Sequence, residues 1–151
     1  MSRLSRAFWG AFLLPMGLAA QEVHDHGAPE KLGAVSFPIS CQPSVQAGFN
    51  RAVALLHSFA YSLAERAFRQ VGENDPHCAM AHWGIAIAQF HQLWDPPLSP
   101  SAVAVGQEEI QRARGLGTGS DRERRFIAAL ALIYQTDSGS AYRTRALQYE
   151  R

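Results

Sequence analysis

The chain matches itself when it is shifted by 34 residues, and this match constrains the fold more than any other feature of the sequence. Residues 45–61, VQAGFNRAVALLHSFAY, then align with residues 79–95, AMAHWGIAIAQFHQLWD. The alignment pairs Phe49 with Trp83, Ala52 with Ala86, Val53 with Ile87, Ala54 with Ala88, Leu56 with Phe90 and His57 with His91. Self-similarity at a fixed period of this length is typical of proteins built from stacked structural repeats.

The residues between the two matched segments have the spacing of a second helix. Ala64 is followed at helical spacing by Phe68, and Pro76 comes two further turns along the chain. A small residue lets two helices approach closely, a phenylalanine fills the space between neighbouring hairpins, and a proline ends the helix. Because one hairpin cannot bury its own apolar face, we expect neighbouring hairpins to stack.

Three stretches rich in glycine, proline and polar residues divide the helical pattern, and they predict three repeat units. The breaks are GENDP at 72–76, DPPLSP at 95–100 and GLGTGS at 115–120. The predicted units lie near 45–78, 79–120 and 121–151, and the last of them is incomplete.

The second and third units depart from the first. In the second, DPPLSP stands where the second helix should begin, which indicates an insertion in the turn of the hairpin. The small, large, small spacing then resumes at Gly106, Ile110 and Ala113. In the third unit, DRERRFIAALALIYQ places Ala128 and Leu132 at the positions that Ala52 and Leu56 hold in the first.

In its period and in the positions of Ala64, Phe68 and Pro76, the chain resembles the tetratricopeptide repeat family over about 105 of its 151 residues. The stretches ALLHSF, DPHCAMAHWGIA and RTRALQYE resemble the N-terminal part of longer exported bacterial proteins of that family. The resemblance implies an all-α fold, a short right-handed solenoid of about two and a half tetratricopeptide-like hairpins over residues 44–151.

The resemblance also implies a function, which is binding rather than catalysis. In the family, the first helices of the hairpins line a concave groove that holds a peptide or a partner protein. The residues that fall on this groove side are Phe49, Val53, Leu56, His57, Trp83, Ile87, Phe90 and His91. We therefore expect an interaction scaffold whose protein or peptide partner the sequence does not identify.

Residues 1–20 have the layout of a secretory signal peptide. Arg3 and Arg6 precede an apolar run over 7–18, and small residues follow, with cleavage favoured after Ala19 over Ala20. A membrane anchor is the alternative, but about a dozen apolar residues fall short of the roughly 20 that a spanning helix needs. The sequence thus predicts an exported protein, periplasmic or secreted, with no membrane attachment after cleavage.

Residues 21–43 are rich in glycine, proline and polar residues and show no helical periodicity, which predicts an extended leader. Removal of Arg3 and Arg6 leaves 12 basic against 13 acidic residues in the mature chain, a balance that gives no attraction to nucleic acid.

The two cysteines, Cys41 and Cys78, lie just before the first helices of units one and two. In an array of hairpins these helices run parallel and side by side, so the register predicts a disulfide between the two cysteines, which an exported protein permits. Two unpaired thiols are the alternative.

His57 and His91 occupy equivalent positions, so their imidazoles are candidates to converge on one ligand or metal ion, with His82 and Asp95 as possible further ligands. A firm zinc site needs three or four ligands, and the sequence contains no second pair with ligand spacing. Packing with a hydrogen bond is the favoured interpretation, and a histidine-based metal-binding or redox protein is the alternative function. His24, Asp25 and His26 in the leader are candidates for loose metal capture only.

The remaining motifs give no support to an enzyme, and no cofactor is expected. GLGTGS at 115–120 follows a helix and lacks the lysine of a phosphate-binding loop, and no serine nucleophile elbow is present. Trp83 and Trp94 could contact a ligand, but core packing is the favoured interpretation for both. The basic residues Arg122, Arg124 and Arg125 alternate with acids and predict a solvated helix face.

Overall fold

The computed structural model describes residues 31–91, 98–135 and 142–149. A single 3-10 turn at Pro43–Val45 leads into six α-helices, and no strand occurs in these ranges. The helices are α1 Gln46–His57, α2 Tyr61–Asn74, α3 Ala79–Ala88, α4 Pro100–Leu116, α5 Asp121–Ile133 and α6 Tyr142–Tyr149. The predicted all-α class is confirmed.

Each helix packs against its successor or predecessor, and the odd-numbered helices also meet one another. Helices α1 and α2, α3 and α4, and α5 and α6 form contacting pairs, and α2 and α4 also contact the first helix of the following pair. Because α3 contacts both α1 and α5, the three odd-numbered helices lie side by side. Residues far apart in sequence therefore meet on one face.

The contact between α2 and α3 is set by Phe68 and Gly84. Phe68 is fully buried, and a Cβ atom built on Gly84 would lie only 2.2 Å from Cδ1 of Phe68. The glycine thus leaves the space that the phenylalanine ring fills, which is the role predicted for Phe68 from its spacing. Ala64 and Val71 are buried on the same side of α2.

A second contact between an aromatic ring and a glycine joins α4 to the end of α5. A Cβ on Gly106 would lie 2.1 Å from Cε1 of Tyr134, whose ring is buried. The Tyr134 hydroxyl donates a hydrogen bond of 2.6 Å to the carbonyl oxygen of Ala86 in α3. One side chain thereby ties three helices together. Ile110 and Ala113 are buried with Gly106, as their predicted spacing requires.

The turn between α4 and α5 follows from its sequence. Gly117 ends α4 with a φ of 61°, in the left-handed region where glycine carries no steric cost. Ser120 then begins α5 with a capping box, because its side chain accepts from the N–H of Glu123 while the Glu123 carboxylate accepts from the N–H of Ser120.

Cys41 and Cys78 form a disulfide, with Cα atoms 5.0 Å apart. This confirms the pairing predicted from the register. Because Cys78 directly precedes α3, the bond fixes the segment before α1 to the beginning of the next odd-numbered helix.

Two expectations about the register and the leader need correction or restriction. Ala128 is exposed, whereas Ala52 is fully buried, so the equivalence drawn between them does not hold. The predicted signal peptide at 1–20 and the first part of the predicted leader, residues 21–30, lie outside the described residues. Among the described helices, none combines the length and the apolarity needed to cross a bilayer.

We expect Gly84→Ala to lower the free energy of unfolding by about 1–3 kcal/mol, because an added methyl group overpacks the contact with Phe68. Alanine stabilises a helix interior by about 1 kcal/mol relative to glycine, so helix propensity alone would make the variant more stable. A loss of stability therefore reports the packing effect. Gly72→Ala is the matched control, since its Cβ would lie at an ordinary 3.5 Å from Cβ of Ala81. Urea unfolding measures both variants, and a Gly84→Ala protein as stable as Gly72→Ala would contradict the packing described.

Candidate functional site

Residues 32–41, which we call the arm, lie across the odd-numbered helices. The side chains of Val35, Phe37, Ile39 and Cys41 are half-buried, and the residues between them are exposed. This alternation is typical of an extended chain with one face covered. The leader predicted as extended is therefore also packed, and the sequence signal for this was the alternation of apolar and polar residues in VSFPISC.

Phe37 is the central contact of the arm. Its ring centroid lies 5.6 Å from that of Phe49 in α1, 5.8 Å from Trp83 in α3 and 5.5 Å from Phe126 in α5. The guanidinium of Arg122 lies over the Phe37 ring at 4.6 Å, a distance at which a cation is attracted by the face of an aromatic ring. One residue of the arm thus contacts all three odd-numbered helices.

Side chains of α1 hold the backbone of the arm. The N–H of Phe37 donates to Oδ1 of Asn50 at 3.2 Å, and the N–H of Ile39 donates to Oε1 of Gln46 at 3.0 Å. Gln46 in turn donates through Nε2 to the carbonyl oxygen of Phe37 at 2.9 Å. A chain segment outside any sheet needs such partners, because buried backbone polar groups without hydrogen bonds are costly.

Side chains of α5 hold the C-terminal half of the arm. The N–H of Ser40 donates to Oε1 of Glu123 at 2.6 Å, and Arg122 donates to the carbonyl oxygen of Pro38 at 3.2 Å. The sequence predicts that Arg122 lies on a solvated helix face. Its side chain is exposed, as predicted, but it also contacts the arm.

Glu123 is almost completely buried, and hydrogen bonds from two serines favour its charged form. Burial raises the pKa of its carboxyl, but hydrogen bonds donated by Ser120 and Ser40 outweigh that effect, so the pKa lies below its ordinary value. Glu123 is not among the site residues predicted from the sequence. The spacing of Ser120 and Glu123 is that of a capping box, and it was the signal that could have identified it.

Beside the arm, the same face of the helices contains an open cavity of about 370 Å³. Helix α1 contributes Val53, Leu56 and His57, and α3 contributes Trp83 and Ile87. The remaining lining residues are all aromatic and come from the arm, from the segments that follow α1 and α3, and from α2, α5 and α6: Phe37, Phe59, Phe90, Tyr61, Phe126 and Tyr149. We call this cavity, together with the helix surface under the arm, the groove face.

Of the eight predicted groove residues, six line this cavity: Val53, Leu56, His57, Trp83, Ile87 and Phe90. Phe49 lies under the arm, where it is fully buried and contacts the rings of Phe37 and Phe68. His91 is elsewhere, since it lines a separate cavity of about 190 Å³ with residues at the beginning of α4.

His57 and His91 line different cavities. His57 is the last residue of α1, whereas α3 ends at Ala88, so His91 lies beyond its helix and the two positions are not equivalent. The His91 ring instead stacks on Tyr61, with centroids 4.2 Å apart. Within the described residues, three potential metal ligands meet only at Cys41, Asp75 and Cys78, whose two sulfurs are bonded to each other.

His82, the other described candidate ligand, is paired with a carboxylate that the sequence analysis missed. Its Nδ1 lies 2.6 Å from Oε2 of Glu109, and the guanidinium groups of Arg112 and Arg69 lie 3.5 Å and 3.9 Å from Oε1. Burial raises the pKa of the Glu109 carboxyl. The hydrogen bond with His82 and the electrostatic effects of His82, Arg112 and Arg69 lower it by more, so the pKa lies below its ordinary value. The contacts around the buried Glu109 carboxylate therefore link α2, α3 and α4.

The remaining candidates lie outside the described residues. They are Trp94 and Asp95, and the leader residues His24, Asp25 and His26.

Comparison of the chain with protein-family models, with curated proteins and with solved structures finds no match.

We expect Glu123→Gln to destabilise the protein by about 2 kcal/mol at neutral pH, because hydrogen bonds to a charged acceptor contribute about 1.5–3 kcal/mol. The folded-state pKa of Glu123 is depressed, so its contribution is present above the unfolded-state pKa and is lost as pH falls through the folded-state value. The difference between the variant and the wild type should therefore shrink below about pH 4.

Denaturant unfolding between pH 3 and pH 7 measures this difference, in the range set by carboxyl titration at about pH 4. Glu108→Gln is the control, because Glu108 is exposed and pairs only across the surface with Arg112. A Glu123→Gln effect that stays constant with pH would contradict the assignment.

Proposed function

We propose that this chain is an exported interaction module with tetratricopeptide-like repeats, which binds an extended peptide segment of a partner protein across its groove face. The mechanism is binding, with no catalytic step. The partner is recognised by its backbone and by apolar side chains that enter the cavity.

One observation carries the proposal, and it is the position of the arm. A segment with apolar side chains at alternate positions lies on the odd-numbered helices, and side chains of α1 and α5 hydrogen-bond to its backbone. The face thus has the chemistry to hold a peptide in an extended conformation. The cavity continues the same face beyond the arm, and its lining is apolar and aromatic, as ligand sites in proteins commonly are.

Strain at the edge of the cavity supports the assignment. Helix α1 ends in a Schellman motif, in which the N–H of Ala60 donates to the carbonyl of Leu55 and the N–H of Phe59 donates to that of Leu56. The residue in the left-handed position is Phe59, with a φ of 59°, where glycine is the usual choice. Its ring is half-exposed and lines the cavity. Strained residues of this kind concentrate at functional sites.

The predicted export fits the disulfide, because such bonds persist in oxidising compartments outside the cytoplasm. The resemblance of the sequence to exported tetratricopeptide repeat proteins points the same way. We therefore place the partner in the periplasm or outside the cell.

A selection of random peptides displayed on phage tests the proposal, with the mature protein as bait. We expect enriched peptides to carry apolar or aromatic residues and to lose at least tenfold in affinity for Leu56→Glu, since a buried unpaired charge costs more than about 1.4 kcal/mol. Gln111→Glu is the matched control, because it adds the same charge on the exposed side of α4. If no peptide is enriched, or if Leu56→Glu binds as the wild type does, the proposal is wrong.

Phe59→Gly provides a second, opposite readout. The change removes a left-handed phenylalanine, so we expect a gain in stability of about 1 kcal/mol. It also removes an aromatic wall of the cavity, and we expect the affinity for the selected peptides to fall. Thermal unfolding and peptide titration measure the two effects, and a variant that is more stable and binds equally well would show that Phe59 has no part in binding.

A further inference from the structure

The arm divides at Ser40 into an anchored end and a part that non-covalent contacts alone hold. Residues 40–42 are tied to three separate points of the fold. The N–H of Ser40 donates to a buried carboxylate of α5, and the N–H of Gln42 donates to the buried carboxylate of Asp75 at 2.8 Å. The residue between them forms the disulfide to the beginning of α3. Residues 32–39 lie before these anchors, so they can leave the helices while the anchors stay in place.

Residues 32–39 are held through groups that any extended peptide offers. Within the described chain, the hydrogen bonds that reach them come from the side chains of Gln46, Asn50 and Arg122. All of these bonds end on backbone N–H or carbonyl groups, which do not depend on the sequence of the segment. From Val35 onward, the half-buried apolar side chains stand at alternate positions. A second peptide with the same alternation therefore offers the same groups to the helices.

The arm and the cavity share part of their walls. The ring of Phe37 contacts those of Trp83 and Phe126, and all three residues also line the cavity of about 370 Å³. The rest of the lining is apolar or aromatic, and its polar side-chain groups are one imidazole and two phenol hydroxyls. The arm thus fills one part of the groove face and leaves the adjoining part open. A peptide that occupies both parts buries more apolar surface than the arm does, which favours its binding.

We propose that residues 32–39 are an autoinhibitory segment, which a partner peptide displaces when it binds the groove face. The inference rests on the proposed function and names the kind of partner. The arm sequence VSFPI at 35–39 is the template, so the partner is extended, with an aromatic residue in the place of Phe37 and apolar residues two positions to either side. The exchange keeps the rings of α1, α3 and α5 covered, because the partner's side chains replace those of the arm.

The tether of the arm to α1 sets what a partner must bring. A segment joined to its site by a short linker acts at an effective concentration on the order of millimolar, so a free peptide that matches only the arm competes poorly. Contacts in the part of the cavity that the arm leaves open supply the additional affinity. The arm consequently rejects weakly binding apolar peptides and admits those that also fill the cavity, which raises the specificity of the face.

A synthetic peptide with the sequence of residues 32–39, LGAVSFPI, tests the inference on the full chain with its disulfide formed. We expect Phe37→Ala to bind this peptide at least tenfold more tightly than the wild type does. The reason is that the variant's own arm loses the ring that contacts three helices, so its site is more often open. Ser36→Ala is the matched control, because Ser36 is exposed in the arm, and it should bind as the wild type does. Fluorescence anisotropy of the labelled peptide measures the affinities, and LGAVSAPI, without the phenylalanine, should bind none of these proteins.

Phe37→Leu decides the question if Phe37→Ala does not fold, since it keeps an apolar side chain in the site. We expect its affinity for the peptide to lie between those of the wild type and Phe37→Ala. In ¹⁵N-labelled wild type, the amide resonances of Phe37 and Ile39 should move to random-coil positions when a peptide selected on phage saturates the protein.

Three outcomes would each overturn the inference: equal affinity of LGAVSFPI for the wild type and for folded Phe37→Leu, no binding to either variant, or unmoved arm resonances in the saturated wild type. If one of them occurs while the selected peptides still lose affinity in Leu56→Glu, the partner binds beside the arm. The proposed function then stands without the autoinhibition.

Discussion

The contact of Phe37 with Phe49, Trp83 and Phe126 joins a non-helical segment to three separate helices at one point. Each odd-numbered helix supplies one ring, so the arm and the helix surface bury each other's apolar groups. The disulfide at Cys41 keeps the C-terminal end of the arm beside the beginning of α3. The arm is consequently part of the core and not an appendage, and it determines how much of the helix face stays open to a ligand.

An extended segment on helices has no neighbouring strand, and this explains the polar groups of the face. The N–H and carbonyl groups that a sheet would pair must find side chains here, and Gln46, Asn50 and Glu123 supply them. The same requirement explains how a carboxylate can be buried at Glu123. It caps α5 and accepts from the arm at once, so its charge is stabilised by donors from two directions. The face thus holds extended backbone of the chain's own arm through side-chain hydrogen bonds.

The sequence predicts the features that depend on spacing within helices. Ala64 and Phe68 have the spacing that a close approach of two helices needs, and the same register predicts the disulfide. It predicts that residues 21–43 are extended but not that the arm packs on the helices, because the alternation of apolar residues in the arm is not a helical pattern. It also fails for the two histidines, because the self-match assumes helices of equal length. Since α3 stops before Gln89, His91 leaves the surface that His57 occupies.

Three features that each cost stability involve the cavity or residues that line it. Phe59 holds a left-handed conformation that glycine would adopt without strain, the Nε1–H of Trp83 is buried without an acceptor among the described residues, and a space large enough for a ligand is left unfilled. A single substitution could relieve each of these features. Stabilising substitutions are easy to find in natural proteins, and their usual cost is a loss of function. Local departures from the rules of good packing are expected at functional positions. Their concentration on one face, beside a segment held in the manner of a bound peptide, favours binding over a packing defect as the reason for the cavity.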